Sequence, residues 1–289
     1  MATKLLFSRL RSFAFDLGVK GKSPVSCRSF CASSSIISRK VEANGVNFHY
    51  EIAGNSPDVL LCIPGALGST QSDFAPQLRD LSKNFTVVAF DPRGYGKSIP
   101  PWRDFPSTFF ERDADDAAEL MHKIGFKKFS ILGWSDGGIV GMILAGARPE
   151  LINKLVVWGS NSYVSEKDFA VLSKVKDLSK WSAKMREPLE ALYGTDKLQD
   201  LWSSWMAAFF SFKENENGIC KNSLQNIKCP TLIVHGSKDP IVPDFHPVYI
   251  HERIKNSQIH YFPEGKHNLH LRFHEEFNEL VTKFLSTSV

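Results

Sequence analysis

Long apolar runs are the first thing this 289-residue sequence lacks. The longest clean one, Ile139 to Ala147, falls far short of the roughly 20 residues that cross a bilayer as a helix. Cysteine is scarce as well: five in all, of which Cys27 and Cys31 lie within the first 40 residues. The other three, Cys62, Cys220 and Cys229, are scattered without C-x-x-C spacing. They exclude a disulfide framework and suggest a reducing compartment. Basic surplus is missing too, once the start of the chain is set aside. The formal charge is +4, yet residues 1–40 hold eight Lys and Arg against the single acid Asp16. The remainder carries 27 basic and 30 acidic residues, a net of about −3. Nucleic-acid binding therefore has no electrostatic basis. Internal repeats and low-complexity tracts are absent after residue 40.

What residues 1–40 do contain is nine serines and an amphipathic pattern, with Leu6, Leu10, Phe13 and Leu17 on one helical face. Basic, serine-rich and acid-poor is the composition of a mitochondrial transit peptide, and mitochondrial localisation is expected from it. The segment "RSFCAS" at 28–33 resembles processing sites of matrix-targeted precursors, placing the mature start in the upper thirties.

From residue 46 the pattern is regular. "VNFHYEI" alternates as a half-buried strand does, and "VLLCI" (59–63) is continuously apolar, as for a strand buried on both faces. Further strands are expected at 85–90, 129–134, 154–160, 230–236 and 258–262, with helices at about 108–124, 137–147 and 269–285. Strands alternating with helices predict an α/β fold: a mostly parallel central sheet flanked by helices. The stretch 161–225 interrupts the alternation, with Leu198, Trp202, Trp205 and Phe209 at helical spacing. It is expected to be a helical cap, leaving 41–160 and 226–289 as the core. Most of its aromatics are expected simply to glue it to the body.

The segment "ILGWSDGGIV" carries a G-x-S-x-G pattern, weak by itself. Here it follows a buried strand and opens an apolar helix, the setting of a nucleophile elbow with Ser135 at the apex. A serine needs a base and an orienting acid. Asp239 follows the strand "TLIVHG" and His267 follows "QIHYF", both just past strand ends, where ligands bind in parallel sheets. Asp244 is the rival acid, though it lies beyond a proline. His267, His270 and His274 stand at i, i+3 and i+7, which could look like a metal face. No acid or cysteine joins them convincingly, and no metal or organic cofactor is expected. His235 and His260 fall inside strand patterns and read as structural.

With these residues in view, the sequence resembles the α/β-hydrolase superfamily and, within it, the valacyclovir hydrolase (biphenyl hydrolase-like) family. The resemblance runs from about Val41 onward, on "PGALGS", "DPRGYGKS", "FFERDA", "LGWSDGG", "EPLEALYG", "CPTLIVHGSKDP" and "PEGKHNLHLRF". It implies a serine hydrolase of amino-acid esters, with Ser135 as nucleophile, Asp239 as acid and His267 as base. Where many superfamily members have His-Gly, this chain has Pro64-Gly65. The backbone N–H groups of Leu67 and Asp136 are the favoured oxyanion donors, with Ala66 an alternative to Leu67.

Asp136 bears on the substrate. A carboxylate in a helix's first turn is favourable by about 0.3–1 kcal/mol, which alone would explain it. Yet its negative charge stands where an oxyanion would develop, and a substrate ammonium would cancel that penalty. An α-amino acid ester is the expected small-molecule substrate, met by a monomer. Alternatives are a neutral carboxylesterase, a carbon–carbon bond hydrolase, or a catalytically silent binding protein on the same frame.

Overall fold

Strands without a polar face belong in the middle of a sheet, and β3 (Val59–Ile63) and β4 (Thr86–Phe90) are buried along their whole length. The structure, a computed structural model, describes residues 35–287. It opens with β1 (Ile37–Ala43), β2 (Val46–Ala53) and β3, then α1 (Thr70–Leu81), β4 and α2 (Phe109–Lys123). Next come β5 (Phe129–Trp134), α3 (Asp136–Ala147) and β6 (Ile152–Trp158). The helices α4 (Glu166–Leu172), α5 (Ala183–Tyr193), α6 (Thr195–Ser211) and α7 (Lys221–Leu224) follow without an intervening strand. Then come β7 (Thr231–Gly236), α8 (Phe245–Arg253), β8 (Ser257–Phe262), α9 (Leu269–Arg272) and α10 (His274–Ser286).

The strands form one sheet in the order β1-β2-β4-β3-β5-β6-β7-β8. From β4 to β8 neighbours are parallel; β2 runs antiparallel to both β1 and β4. Parallel crossovers lay helices over both faces, which is why the central strands have no wet side. Successive residues of β5 show it: Ile131 enters the apolar layer with α2 and α3, Leu132 the layer with α1 and α10. The carboxyl ends of β3, β5, β7 and β8 therefore open onto one edge, where the loops carry the candidate residues.

Three expectations need correction. The sheet starts at Ile37, so residues 37–40 belong to β1 and not to the leader. The strand is exposed at most positions, which removed the alternation that would have marked it. The transit-peptide expectation otherwise falls on residues 1–34, outside the described ones. Helices α1 and α8 were not anticipated, and α1 carries an internal proline, Pro76. It is started by Ser69, whose side chain accepts from the Ser72 N–H while the Ser72 hydroxyl accepts from the Ser69 N–H. The helix expected over 269–285 divides at Phe273 into α9 and α10. In the cap, α6 buries Leu198, Trp202, Trp205 and Phe209 as their spacing predicted.

Candidate active site

Ser135 sits between β5 and α3 with φ 54° and ψ −119°. For a non-glycine residue this is a disfavoured conformation, kept only when the surroundings hold it. Here the Ser135 N–H donates to the Trp158 carbonyl at 3.0 Å. Its own carbonyl accepts from the Gly138 N–H at 2.9 Å and from the Ser160 hydroxyl at 2.8 Å. The flanking glycines have a steric reason. A Cβ on Gly137 would fall on the Ile63 carbonyl oxygen, and one on Gly133 on the Gly137 carbonyl oxygen. With hydrogen at Gly137 the elbow fits against β3, and with hydrogen at Gly133 the strand fits against the start of α3.

The loops after β7 and β8 bring the partners. His267 Nε2 lies 3.2 Å from Ser135 Oγ, and His267 Nδ1 lies 2.9 Å from Asp239 Oδ2. Because an aspartate carboxylate can only accept, Nδ1 carries the proton and Nε2 is free to accept from the serine. The Trp134 indole N–H fixes the histidine backbone, donating to the His267 carbonyl at 2.9 Å. The other Asp239 oxygen accepts from the N–H groups of Ile241 and Val242, at 2.8 and 3.1 Å. Burial would raise the Asp239 pKa, but the charge and hydrogen bond of His267, helped by those two N–H groups, hold it below the ordinary carboxylate value.

The rivals go elsewhere. Asp244 is exposed and faces Lys167 at 3.9 Å. His270 is buried between the Trp158 indole, which donates to its Nδ1 at 3.0 Å, and the Asp73 carbonyl, which accepts from its Nε2 at 3.0 Å. Burial pushes its pKa down to about 3, so it stays neutral. His274 turns towards Asp80 at 3.8 Å. The three histidines therefore do not converge. Among the described residues no group of three His, Cys, Asp or Glu is placed to hold a metal ion. His235 is buried in β7, while His260 is half-buried in the edge strand β8 beside Phe262.

Next to the elbow, Gly65 to Gly68 form a tight turn closed by the Gly68 N–H on the Gly65 carbonyl at 3.1 Å. Leu67 occupies its second inner position with φ 64°. A Cβ on Gly65 would stand 3.2 Å from Ser135 Cβ, so the turn adjoins the serine directly.

Asp136 opens α3 and is only 8% exposed. Burial pushes its pKa up to about 7. One of its oxygens accepts from the indole N–H of Trp205, on cap helix α6, at 2.7 Å. On the body side Arg103, paired with Asp113 at 2.8 and 2.5 Å, moderates the rise. Sequence reasoning missed Trp205 as a site residue: its helical spacing explained it as packing, and its partner lies 69 residues away.

Residues 58–206 match the family model described as the alpha/beta hydrolase fold. The chain belongs to that family. It is 52% identical over 254 residues to "Serine hydrolase BPHL" of Homo sapiens and to that of Mus musculus, covering 87% of each chain. Among solved structures, an α/β-hydrolase relative is the 2-hydroxy-6-oxo-6-phenylhexa-2,4-dienoate hydrolase of Rhodococcus sp. strain RHA1. It superimposes with a TM-score of 0.75 at 20% identity, covering 88% of this chain and all of that one. That likeness establishes the fold. The mammalian relatives establish that this α/β-hydrolase is a serine hydrolase of the valacyclovir hydrolase-like group.

Proposed function

We propose that the chain hydrolyses α-amino acid esters by two-step acyl transfer, with Ser135 as nucleophile, His267 as base and Asp239 as orienting acid. His267 Nε2 takes the serine proton as Ser135 attacks the ester carbonyl, then passes it to the departing alcohol. Asp239 holds the Nδ1–H tautomer and supports the imidazolium. Water attacks the acyl-enzyme by the same route in reverse and releases the amino acid. The N–H groups of Asp136 and Leu67 serve the oxyanion. The first belongs to a helix start, where first-turn N–H groups have no acceptor in their own helix.

The observation that carries the substrate class is the Asp136 carboxylate: buried, beside the nucleophile and anchored through one oxygen by Trp205. A buried carboxylate at that point opposes a neutral ester, whose transition state adds negative charge nearby. A substrate ammonium meets the remaining oxygen and removes the opposition. The same argument disfavours a neutral carboxylesterase or a carbon–carbon bond hydrolase. The alignment of Ser135, His267 and Asp239 disfavours a silent binder.

The test compares an α-amino acid ester with its N-acetyl counterpart in wild type and Asp136→Ala. Wild type should prefer the free amine about tenfold to a hundredfold, the worth of a charge-assisted contact. The mutant should lose most of that preference by slowing on the amine. Equal discrimination in both proteins would reduce Asp136 to a helix-start residue. We further propose that the segment before β1, residues 1–36, directs the chain to mitochondria. Fused to a fluorescent protein, it should give mitochondrial signal, and diffuse cytosolic signal would refute this.

A further inference from the structure

The turn that presents Leu67 is held from the cap. Its ends continue into β3 and α1, but its corner is a leucine at φ 64°. Positive φ at the second inner position is what a type II turn requires, and glycine suits it far better than leucine. The relaxed alternative with the same ends is a type I turn, in which the central amide is turned over. That amide carries the Leu67 N–H.

Tyr193, the last residue of α5, reaches this corner. Its hydroxyl donates to the Leu67 carbonyl at 3.0 Å and accepts from the Gly96 N–H at 3.0 Å, across separations of 126 and 97 residues. A backbone N–H can only donate, so the tyrosine proton must go to Leu67. Burial pushes the Tyr193 pKa up, and the hydroxyl keeps that proton throughout the working range. The ring is buried and packs edge-on to Tyr95 at 6.5 Å. One cap side chain thus ties the turn beside Ser135 to the loop after β4.

We propose that Tyr193 is a positioning residue for the oxyanion donor at Leu67, so that the donor is aimed only while the cap is seated. This rests on Leu67 being that donor. With the Tyr193 bond lost, the strained corner at Leu67 loses its tie to the cap, while the Gly65 N–H on Asp73 at 3.0 Å holds only the first residue of the turn. The N–H then spends part of its time off the developing oxyanion, where an error of an ångström is felt in the rate. Ground-state binding depends little on that hydrogen bond, so kcat should bear the loss.

The test uses Tyr193→Phe in the full chain, with an ester and the thionoester that carries sulfur in place of the carbonyl oxygen. Sulfur accepts hydrogen bonds poorly, so the rate ratio of the two substrates reports the oxyanion contacts. Wild type should favour the oxygen ester. The variant should lose about tenfold in kcat on that ester, a fraction of the 10²–10³ lost when a donor is removed outright. KM should stay within about twofold, and the oxygen-over-sulfur preference should fall in step with kcat. Adding Leu67→Gly, which suits the turn unaided, should recover most of the loss. A loss shared equally by both esters, or no recovery with glycine, would assign Tyr193 to cap packing alone and overturn the proposal. A wild type without oxygen preference would remove the oxyanion role of Leu67, and the proposal with it.

Discussion

Among the described residues, two serines face a histidine whose other nitrogen faces a buried aspartate. In the proposed active site the distances are 3.2 Å from Ser135 to His267 and 2.9 Å from His267 to Asp239. At the other end of the sheet they are 2.8 Å from Ser38 to His49 and 2.9 Å from His49 to Asp91. By distance alone the second array is the tighter one. Its surroundings differ in kind. Ser38 lies on the edge strand β1, paired antiparallel with β2, and no helix begins there. Asp91 accepts from the N–H groups of Thr70 and Lys97, at 2.7 and 2.8 Å, and so holds the start of α1 and the loop after β4. The His49 side chain is 3% exposed, against 17% for His267. Ser135, by contrast, sits on a strained elbow at a helix start, with a turn of backbone amides alongside. Three side chains in line make a strut or a site according to the backbone around the serine.

The largest expected effect sharpens that contrast. Ser135→Ala should fold normally and lose ester hydrolysis by several orders of magnitude, as removal of a nucleophile does. Ser38→Ala should keep kcat/KM within about twofold, because none of the oxyanion contacts depends on it. A fluorophosphonate probe should label wild type and Ser38→Ala but not Ser135→Ala. Labelling at Ser38 would break the comparison.

A smaller effect concerns pH. In the free protein Asp136 ionises at about 7, and only the ionised form pairs with an ammonium. The substrate amine loses its own proton near the α-amino range of about 7.7–8.0. The ratio of kcat/KM for the amine ester to that for its N-acetyl form cancels titration of the shared machinery. It should rise through pH 6–7, peak between the two pKa values and fall beyond. A flat ratio from pH 5 to 9 would show that the carboxylate does not receive the amine.

The smallest effect belongs to the strut. Ser38→Ala should lower stability by about 0.5–1.5 kcal/mol, the net worth of one hydrogen bond, read as a lower Tm. The same change should leave the amine preference untouched. A shift in substrate preference would mean that the strut reaches the site through Asp91 and α1.

Much of this was legible in the sequence because the chemistry sits where the chain pattern changes. Ser135, Asp239 and His267 each follow a strand signal, so their convergence follows from a parallel sheet. The cap was legible as an interruption, and α6 as an apolar stripe. The first strand was not, since exposed positions break its alternation. Yet Asn44-Gly45, both at positive φ and joining β1 to β2, is a hairpin signal that could have revealed it. Tyr193 stood inside a recognised motif, "EPLEALYG", without a role, because a role carried by two hydrogen bonds to backbone atoms leaves no trace in residue type. Trp205 was hidden differently: the stripe that buries it accounts for it fully until Asp136 is seen at 2.7 Å.

Burial of Asp136 has a thermodynamic consequence for the protein as a whole. Its carboxyl holds a proton up to about pH 7, whereas an unfolded aspartate releases it near 3.8. Across that interval this carboxyl is more protonated in the native state than in the unfolded one, so it subtracts stability as pH rises and its cost is complete above pH 7. Asp73, buried behind the Gly65 turn and likewise pushed up to about 7, adds to the decline. Asp239 and the buried, neutral His270 work in the opposite sense, contributing stability that is lost on acidification. Asp136 thus costs the unliganded protein most in the pH range where the amine site is most active. A cationic amino-acid ligand offsets part of that deficit, so its melting-temperature shift should grow between pH 5 and pH 8.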